Sequence, residues 1–180
     1  MTAIAAVTDG RRVWIGGDSA GVAGLSLIQR ADEKVWTDKG MVFGFSGSFR
    51  MGQLLRYALT VPPRTEGDDV ARWMTTSFID SVRRTMKEGG LATVDKGVEE
   101  LPGSFLLGYQ GRIYNIDIDL QVGYAIHGFD AIGSGADVAL GALAVAKGEP
   151  RARVLRSLQT AEMFNAGVRG PFIVRSGGKA

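Results

Sequence analysis

The chain has 180 residues, 45% of them apolar and 22% charged, with 21 basic against 19 acidic side chains and a net charge of +2. That balance suits a globular domain able to bury its own core and excludes a disordered tail. With no cysteine, a disulfide scaffold, a thiol nucleophile and a thiolate metal site are excluded, and the interspersed charges argue against a nucleic-acid-binding face.

Two short apolar runs, at 3–7 and 12–17, flank Asp9-Gly10, a dipeptide that favours hairpin turns. Runs at 34–37 and 41–46 repeat the pattern around Asp38-Lys39-Gly40, so four strands of one sheet are expected here. Met51, Leu54, Leu55 and Ala58 then recur at helical spacing until Val61-Pro62-Pro63 stops the helix. A second helix is predicted over about 68–87, with Val70, Met74, Phe78, Val82 and Met86 four residues apart and Gly89-Gly90 as its stop. Strand character returns over 105–126 around Gln110-Gly111, two helices follow at about 136–147 and 151–164, and 172–174 reads as a closing strand.

Strands and helices therefore come in segregated runs, which predicts an α+β class rather than βαβ units. Two facing sheets, each covered by a helix pair, would bury every apolar stripe: a four-layer αββα sandwich in a single domain spanning 1–180. No stretch reaches membrane-spanning length, and the apolar N-terminus lacks the basic segment of a signal peptide, so a cytoplasmic location is expected.

Three polar residues stand out. Thr2 lies at the extreme N-terminus on the first strand, Asp18 ends the second in Gly16-Gly17-Asp18-Ser19, and Lys34 begins the third, at equal intervals of 16. If the strands are sheet neighbours, these side chains converge at one end of the sheet. Other constellations are weaker. His127 is the only histidine and has no motif around it, so a Ser-His-Asp triad is not expected. Asn115, Asp117 and Asp119 lack the glycine and distal glutamate of a calcium loop. Gly133 and Gly135 lack the third glycine of a dinucleotide site, and no phosphate-binding Gly-Lys motif occurs. Neither a cofactor nor a metal is expected. Ser134-Gly135-Ala136-Asp137 reads as a capping box opening the following helix.

Taken together, Thr2 with its short strand, Ile15-Gly16-Gly17-Asp18-Ser19, Lys34-Val35, Gly44-Phe45-Ser46-Gly47-Ser48 and Ala131-Ile132-Gly133-Ser134-Gly135 resemble, in order along nearly the whole chain, the motifs of proteasome β subunits and of HslV. The resemblance implies an N-terminal-nucleophile (Ntn) hydrolase, a threonine-type peptidase that forms an acyl-enzyme on Thr2 once Met1 is removed. A threonine hydroxyl needs a base, and the freed α-amine, with an unperturbed pKa of about 7.7–8.0, supplies one near neutral pH. By the same resemblance Lys34 holds positive charge beside the nucleophile, Asp18 holds Lys34, the Gly47 N–H serves as oxyanion donor and Ser134 relays protons. A polypeptide substrate would add as a strand between Ala20, Gly21 and Val22 on one side and residues 47–49 on the other. Trp36, Phe45 and Phe49 fall near the position of the substrate pocket. Homo-oligomeric stacked rings served by an ATPase unfoldase are also implied.

Near the last helix the family pattern carries an aspartate and a serine that support the nucleophile. Here Asn165 and Val168 stand in their places. Two alternatives therefore remain beside the peptidase: a catalytically silent ring subunit or scaffold, and an Ntn amidase of narrow specificity.

Overall fold

The computed structural model describes residues 1–95 and 97–178. Asp9-Gly10 turns the chain as expected: the Asp9 carboxylate accepts the N–H groups of Arg11 and Arg12 at 2.8 and 2.7 Å, and Gly10 has φ +86°. This turn joins β1 (Ile4–Thr8) to β2 (Val13–Gly17) in antiparallel register, Ile4 facing Gly17. After a small hairpin of β3 (Ala20–Ala23) and β4 (Ser26–Gln29), β5 (Val35–Asp38) pairs with β6 (Met41–Gly47). Their two-residue turn places both Lys39 and Gly40 at positive φ, the conformation that matches strand twist in tight hairpins.

The first four predicted strands do not share one sheet. A four-stranded sheet has the order β12-β1-β2-β13, with β12 at Phe129–Ile132 and β13 at Ile173–Gly177. A five-stranded sheet has the order β11-β10-β9-β6-β5, with β9 at Gly103–Tyr109, β10 at Arg112–Ile116 and β11 at Val122–Gly123. Another hairpin pairs β7 (Thr93–Asp95) with β8 (Val98–Glu100). The predicted strand region over 105–126 is thus interrupted. The turn after β10 has the Leu120 N–H donating to the Asp117 carbonyl, and Ile126 lies exposed outside any strand.

Side-chain alternation explains the layers. Ile4 and Ala6 of β1 join Val13, Ile15, Val35, Val42, Leu106 and Ile113 between the two sheets, whereas Ala3, Ala5 and Val7 face the opposite way. That outer face packs on α4 (Ala136–Val145) and α5 (Pro150–Phe164) through Ala139, Leu143, Val154, Leu158 and Ala161. The other sheet turns Phe43, Phe45, Phe105 and Leu107 towards α1 (Phe49–Tyr57) and a long helix starting at Val70. The architecture is the expected four-layer αββα sandwich.

The long helix runs as α2 (Val70–Trp73), a π-helical turn (Met74–Phe78) and α3 (Ile79–Glu88). A four-residue spacing overshoots the 3.6 residues of an α-turn, so a stripe repeating every four residues drifts round the helix. A π turn accepts more residues per turn and restores the stripe. Met74, Phe78, Val82 and Met86 are all fully or almost fully buried as a result.

Candidate active site

The edge where the sheets meet gathers the three residues singled out by spacing. Asp18, directly after β2, is locked to the start of β1: its N–H donates to the Ala3 carbonyl at 3.2 Å, and the Ala3 N–H donates to Asp18 Oδ1 at 3.1 Å. Lys34 comes from the other sheet, one residue before β5, with its carbonyl accepting the Phe45 N–H at 3.1 Å. Convergence therefore crosses the interface between sheets and does not run along neighbouring strands. Gly17 makes room for it, since a Cβ there would meet Ile4 and Val35 and sit 3.6 Å from Lys34 Cβ.

Lys34 Nζ donates to Thr2 Oγ1 at 2.8 Å and to Asp18 Oδ1 at 2.8 Å. All three residues are at most 3% exposed. Asp18 Oδ2 accepts the N–H groups of Ala20 at 2.9 Å and Arg169 at 3.3 Å, so the carboxylate is satisfied from several elements. Burial lowers the Lys34 pKa from its ordinary 10.5, opposed by the charge and hydrogen bond of Asp18. An ammonium so placed can stabilise a developing alkoxide on Thr2.

The Thr2 N–H donates to Ser134 Oγ at 3.2 Å, and the Thr2 hydroxyl donates to the Met1 carbonyl at 2.6 Å. The expected capping box at Ser134 does not form. Gly135 is the N-cap of α4 and no side chain caps it. Ser134 is instead drawn to the Thr2 backbone and to Asn165, whose Nδ2 donates to the Ser134 carbonyl at 2.7 Å and whose Oδ1 lies 3.4 Å from Ser134 Oγ. Asn165 Oδ1 also accepts the Gly167 N–H at 2.9 Å. Val168 offers no polar group; it is fully buried with Ala3 and Ala161 in the α4/α5 layer.

The remaining predicted residues divide. Gly47 ends β6 with φ +109°, and a Cβ there would strike the Pro102 carbonyl oxygen and Gly103 Cα at 2.5 and 2.6 Å, so only glycine fits this turn. Ala20, Gly21 and Val22 lie on β3, which pairs with β4 along one edge and has no other ladder partner among the described residues. Residues 47–49 are not an extended segment throughout, because Ser48 is the N-cap of α1 and Phe49 its first residue. Trp36 and Phe45 are 4% exposed and pack mainly in the core beneath α1, each reaching outward only where it lines a cavity, Phe45 in the one that Phe49 also lines. Phe49 is the aromatic at the site, its ring centroid 5.8 Å from Lys34 Nζ and 4.0 Å from the Arg30 guanidinium carbon. His127 stacks on Phe129, and Asp117 and Asp119 accept backbone N–H groups within their own turn.

No family model matches the sequence, and no curated protein is similar to it. Among solved structures, BPH from Thiobacillus denitrificans superimposes with a TM-score of 0.80 at 20% identity, covering 99% of this chain and 98% of that one. BPH in complex with epoxomicin gives the same TM-score at 18% identity over 99% of both chains. Eukaryotic HslV from Trypanosoma brucei follows at 0.69 and 19% identity, covering 98% of this chain and 99% of that one. The fold is that of the proteasome-type Ntn hydrolases. An Anbu mutant from Hyphomicrobium sp. strain MC1 shares it at 0.68 and 19% identity, covering 97% of this chain and 80% of that one.

On this proteasome-type fold, four contributors escape the sequence reading. Ser46 and Gly133 form the floor beside Thr2: a Cβ on Gly133 would collide with the Thr2 carbonyl and lie 2.8 Å from Ser46 Oγ. The Gly133-Ser134-Gly135 string signals such a close backbone approach. Arg30 and Asp32, paired at the rim, carry no signal beyond being charged residues two apart.

Proposed function

We propose that this chain is a threonine-type peptidase subunit of a self-compartmentalising protease. The observation that carries this reading is the buried Lys34 ammonium shared between Thr2 Oγ1 and Asp18 Oδ1, with Ser134 Oγ on the nitrogen of the same threonine. Removal of Met1 would turn that nitrogen into an amine and free the Thr2 hydroxyl from the Met1 carbonyl. The amine takes the hydroxyl proton as Oγ1 attacks the substrate carbonyl carbon. The Gly47 N–H would receive the oxyanion. Collapse breaks the peptide bond, passes the proton to the leaving amine and leaves an ester on Thr2. Water, deprotonated by the same amine, then releases the acid.

Polypeptide substrates would add as a strand to the open edge of β3, a mode that binds main chain and leaves selectivity to side-chain pockets. Homo-oligomeric stacked rings, an ATPase unfoldase partner and a cytoplasmic setting complete the proposal. Exposed Leu25 and Ile28 on the β3–β4 hairpin and exposed Met163 and Phe164 at the end of α5 support inter-subunit contacts, since a lone subunit would leave them in water. No helix among the described residues is long and apolar enough to cross a membrane.

Intact mass after treatment with a peptide epoxyketone, which bonds to a hydroxyl and to the amine of the same residue, tests the proposal. The expected product has lost Met1 and carries one adduct on Thr2. Retained Met1 with no adduct would favour the second reading, a silent ring subunit, for which the neutral Asn165 and the buried Val168 speak.

The rate should also depend on pH with a definite sign. Turnover rises as the Thr2 amine loses its proton, around or below the unperturbed range of about 7.7–8.0 because Lys34 is cationic. It falls again as Lys34 itself deprotonates, and burial puts that limb below the ordinary lysine value of 10.5. A kcat/KM profile without an alkaline limb below that value would remove Lys34⁺ from the mechanism.

A further inference from the structure

Arg30 makes an arrangement that is costly to explain as surface decoration. Its Nε donates to Asp32 Oδ1 at 2.7 Å and its NH2 to Asp32 Oδ2 at 2.6 Å, a two-pronged guanidinium–carboxylate fork. The same guanidinium lies 4.0 Å from the centre of the Phe49 ring. A carboxylate fork plus an aromatic face is the recognition chemistry of an arginine side chain. The Arg30 stem reaches this seat across β3, where a Cβ on Gly21 would come within 2.7 Å of Arg30 Cδ.

The seat is one ring away from the nucleophile, because Lys34 Nζ, bonded to Thr2 Oγ1, lies 5.8 Å from the centroid of the same Phe49. Behind it a cavity of about 130 Å³ is lined by Asp32, Glu33, Phe45 and Phe49 among others. Of the two carboxylates that line it, Glu33 is engaged by Arg175 at 2.6 Å and Asp32 by the Arg30 fork alone. We propose that Arg30 fills, from within the chain, the seat of a cationic substrate side chain, so that the site prefers arginine or lysine on the acyl side of the cleaved bond. The inference rests on the peptidase reading above and adds to it Asp32 and Phe49 as the selecting residues and Arg30 as an internal competitor.

Displacement is physically easy. The Arg30 and Asp32 side chains are 37% and 47% exposed, and an exposed ion pair is held weakly. Exchange of one cation for another leaves Asp32 paired throughout, while Arg30 moves into water. The electrostatic rival is an acidic side chain directed to Arg56, which lines the same cavity and forms no ion pair among the described residues.

Three fluorogenic peptides differing only in arginine, leucine or glutamate before the cleaved bond separate these outcomes. The chain without substitutions should favour the arginine peptide over leucine by roughly tenfold or more in kcat/KM. Arg30→Met, which keeps the stem over Gly21 but not the charge, should raise kcat/KM for the arginine peptide about threefold, mainly through KM. Asp32→Asn should lower the arginine-to-leucine ratio by roughly tenfold. A ratio untouched by Asp32→Asn, a preference for the glutamate peptide over the arginine one, or an equal loss on all three peptides in Arg30→Met would each overturn the inference. Epoxyketone labelling distinguishes the two levels: a chain labelled on Thr2 yet indifferent to the cation sinks this inference alone, whereas a chain neither labelled nor active sinks the peptidase reading with it.

Discussion

Thr2→Ala is expected to lower peptide turnover by roughly 10⁴-fold or more, the scale on which removal of a covalent nucleophile acts. The stability change should be small by comparison. The residue is 3% exposed, and the substitution removes one hydroxyl that accepts from Lys34 at 2.8 Å and donates to Met1 at 2.6 Å. Lys34 keeps its bond to Asp18, so no buried charge is orphaned, and the cost should be about 1 kcal/mol. Thr2→Ser sharpens the test, because it keeps a hydroxyl on the same backbone and should keep measurable turnover and epoxyketone labelling. Peptidase activity surviving in Thr2→Ala, in protein freed of contaminating proteases and with an unchanged melting temperature, would show that some other group does the chemistry.

How much of this site could be read from the chain depends on whether local physics or topology fixes each part. Turns were legible because their chemistry is local: Lys39-Gly40 and Gln110-Gly111 both sit at positive φ, and in Asp9-Gly10 the glycine does so while Asp9 accepts the N–H groups of Arg11 and Arg12. The sandwich was legible because β1, β2 and β6 are nearly continuous apolar runs, as strands covered on both faces must be, and the helices carry stripes. Whether Lys34 belongs to the sheet of Thr2 or to the facing one was not legible. Equal spacing along the chain says nothing of which strands pair, and the small residues that let the sheets approach, Gly17 and Gly44, give the same signal in either topology. The β3–β4 hairpin was missed because β4 is exposed throughout and β3 is at most half-buried beyond Ala20, which leaves no buried face to impose a period of two. Ser134 was misread in part because a capping box and a serine turned to the chain's start share the same local sequence, and only the distant segment carrying Thr2 decides between them.

Asymmetry between the two halves of the buried ion pair gives the second large effect. Lys34→Ala and Asp18→Ala should each reduce turnover by roughly 10³-fold, because each takes the fixed positive charge away from Thr2, either directly or by letting the ammonium lose its proton or position. Their stabilities should nonetheless differ. Without Lys34, the Asp18 carboxylate still accepts the N–H groups of Ala3, Ala20 and Arg169, so its charge remains hydrogen-bonded. Without Asp18, Lys34 has only the Thr2 hydroxyl as an acceptor, in a site where its side chain is 1% exposed. Removing one partner of a buried pair costs about 3–5 kcal/mol, and Asp18→Ala should lie at the upper end with Lys34→Ala at the lower. The pH dependence separates them further. In Asp18→Ala the folded Lys34 pKa drops further below 10.5, the forces that raised it being gone. Between that lowered value and 10.5 the unfolded chain binds the extra proton, so the variant's stability climbs with pH in this window. Denaturant midpoints at about pH 7 and pH 9 should therefore converge on those of Lys34→Ala from below. A Lys34→Ala variant less stable than Asp18→Ala at neutral pH would mean that the carboxylate, not the ammonium, is the group this site holds at a cost.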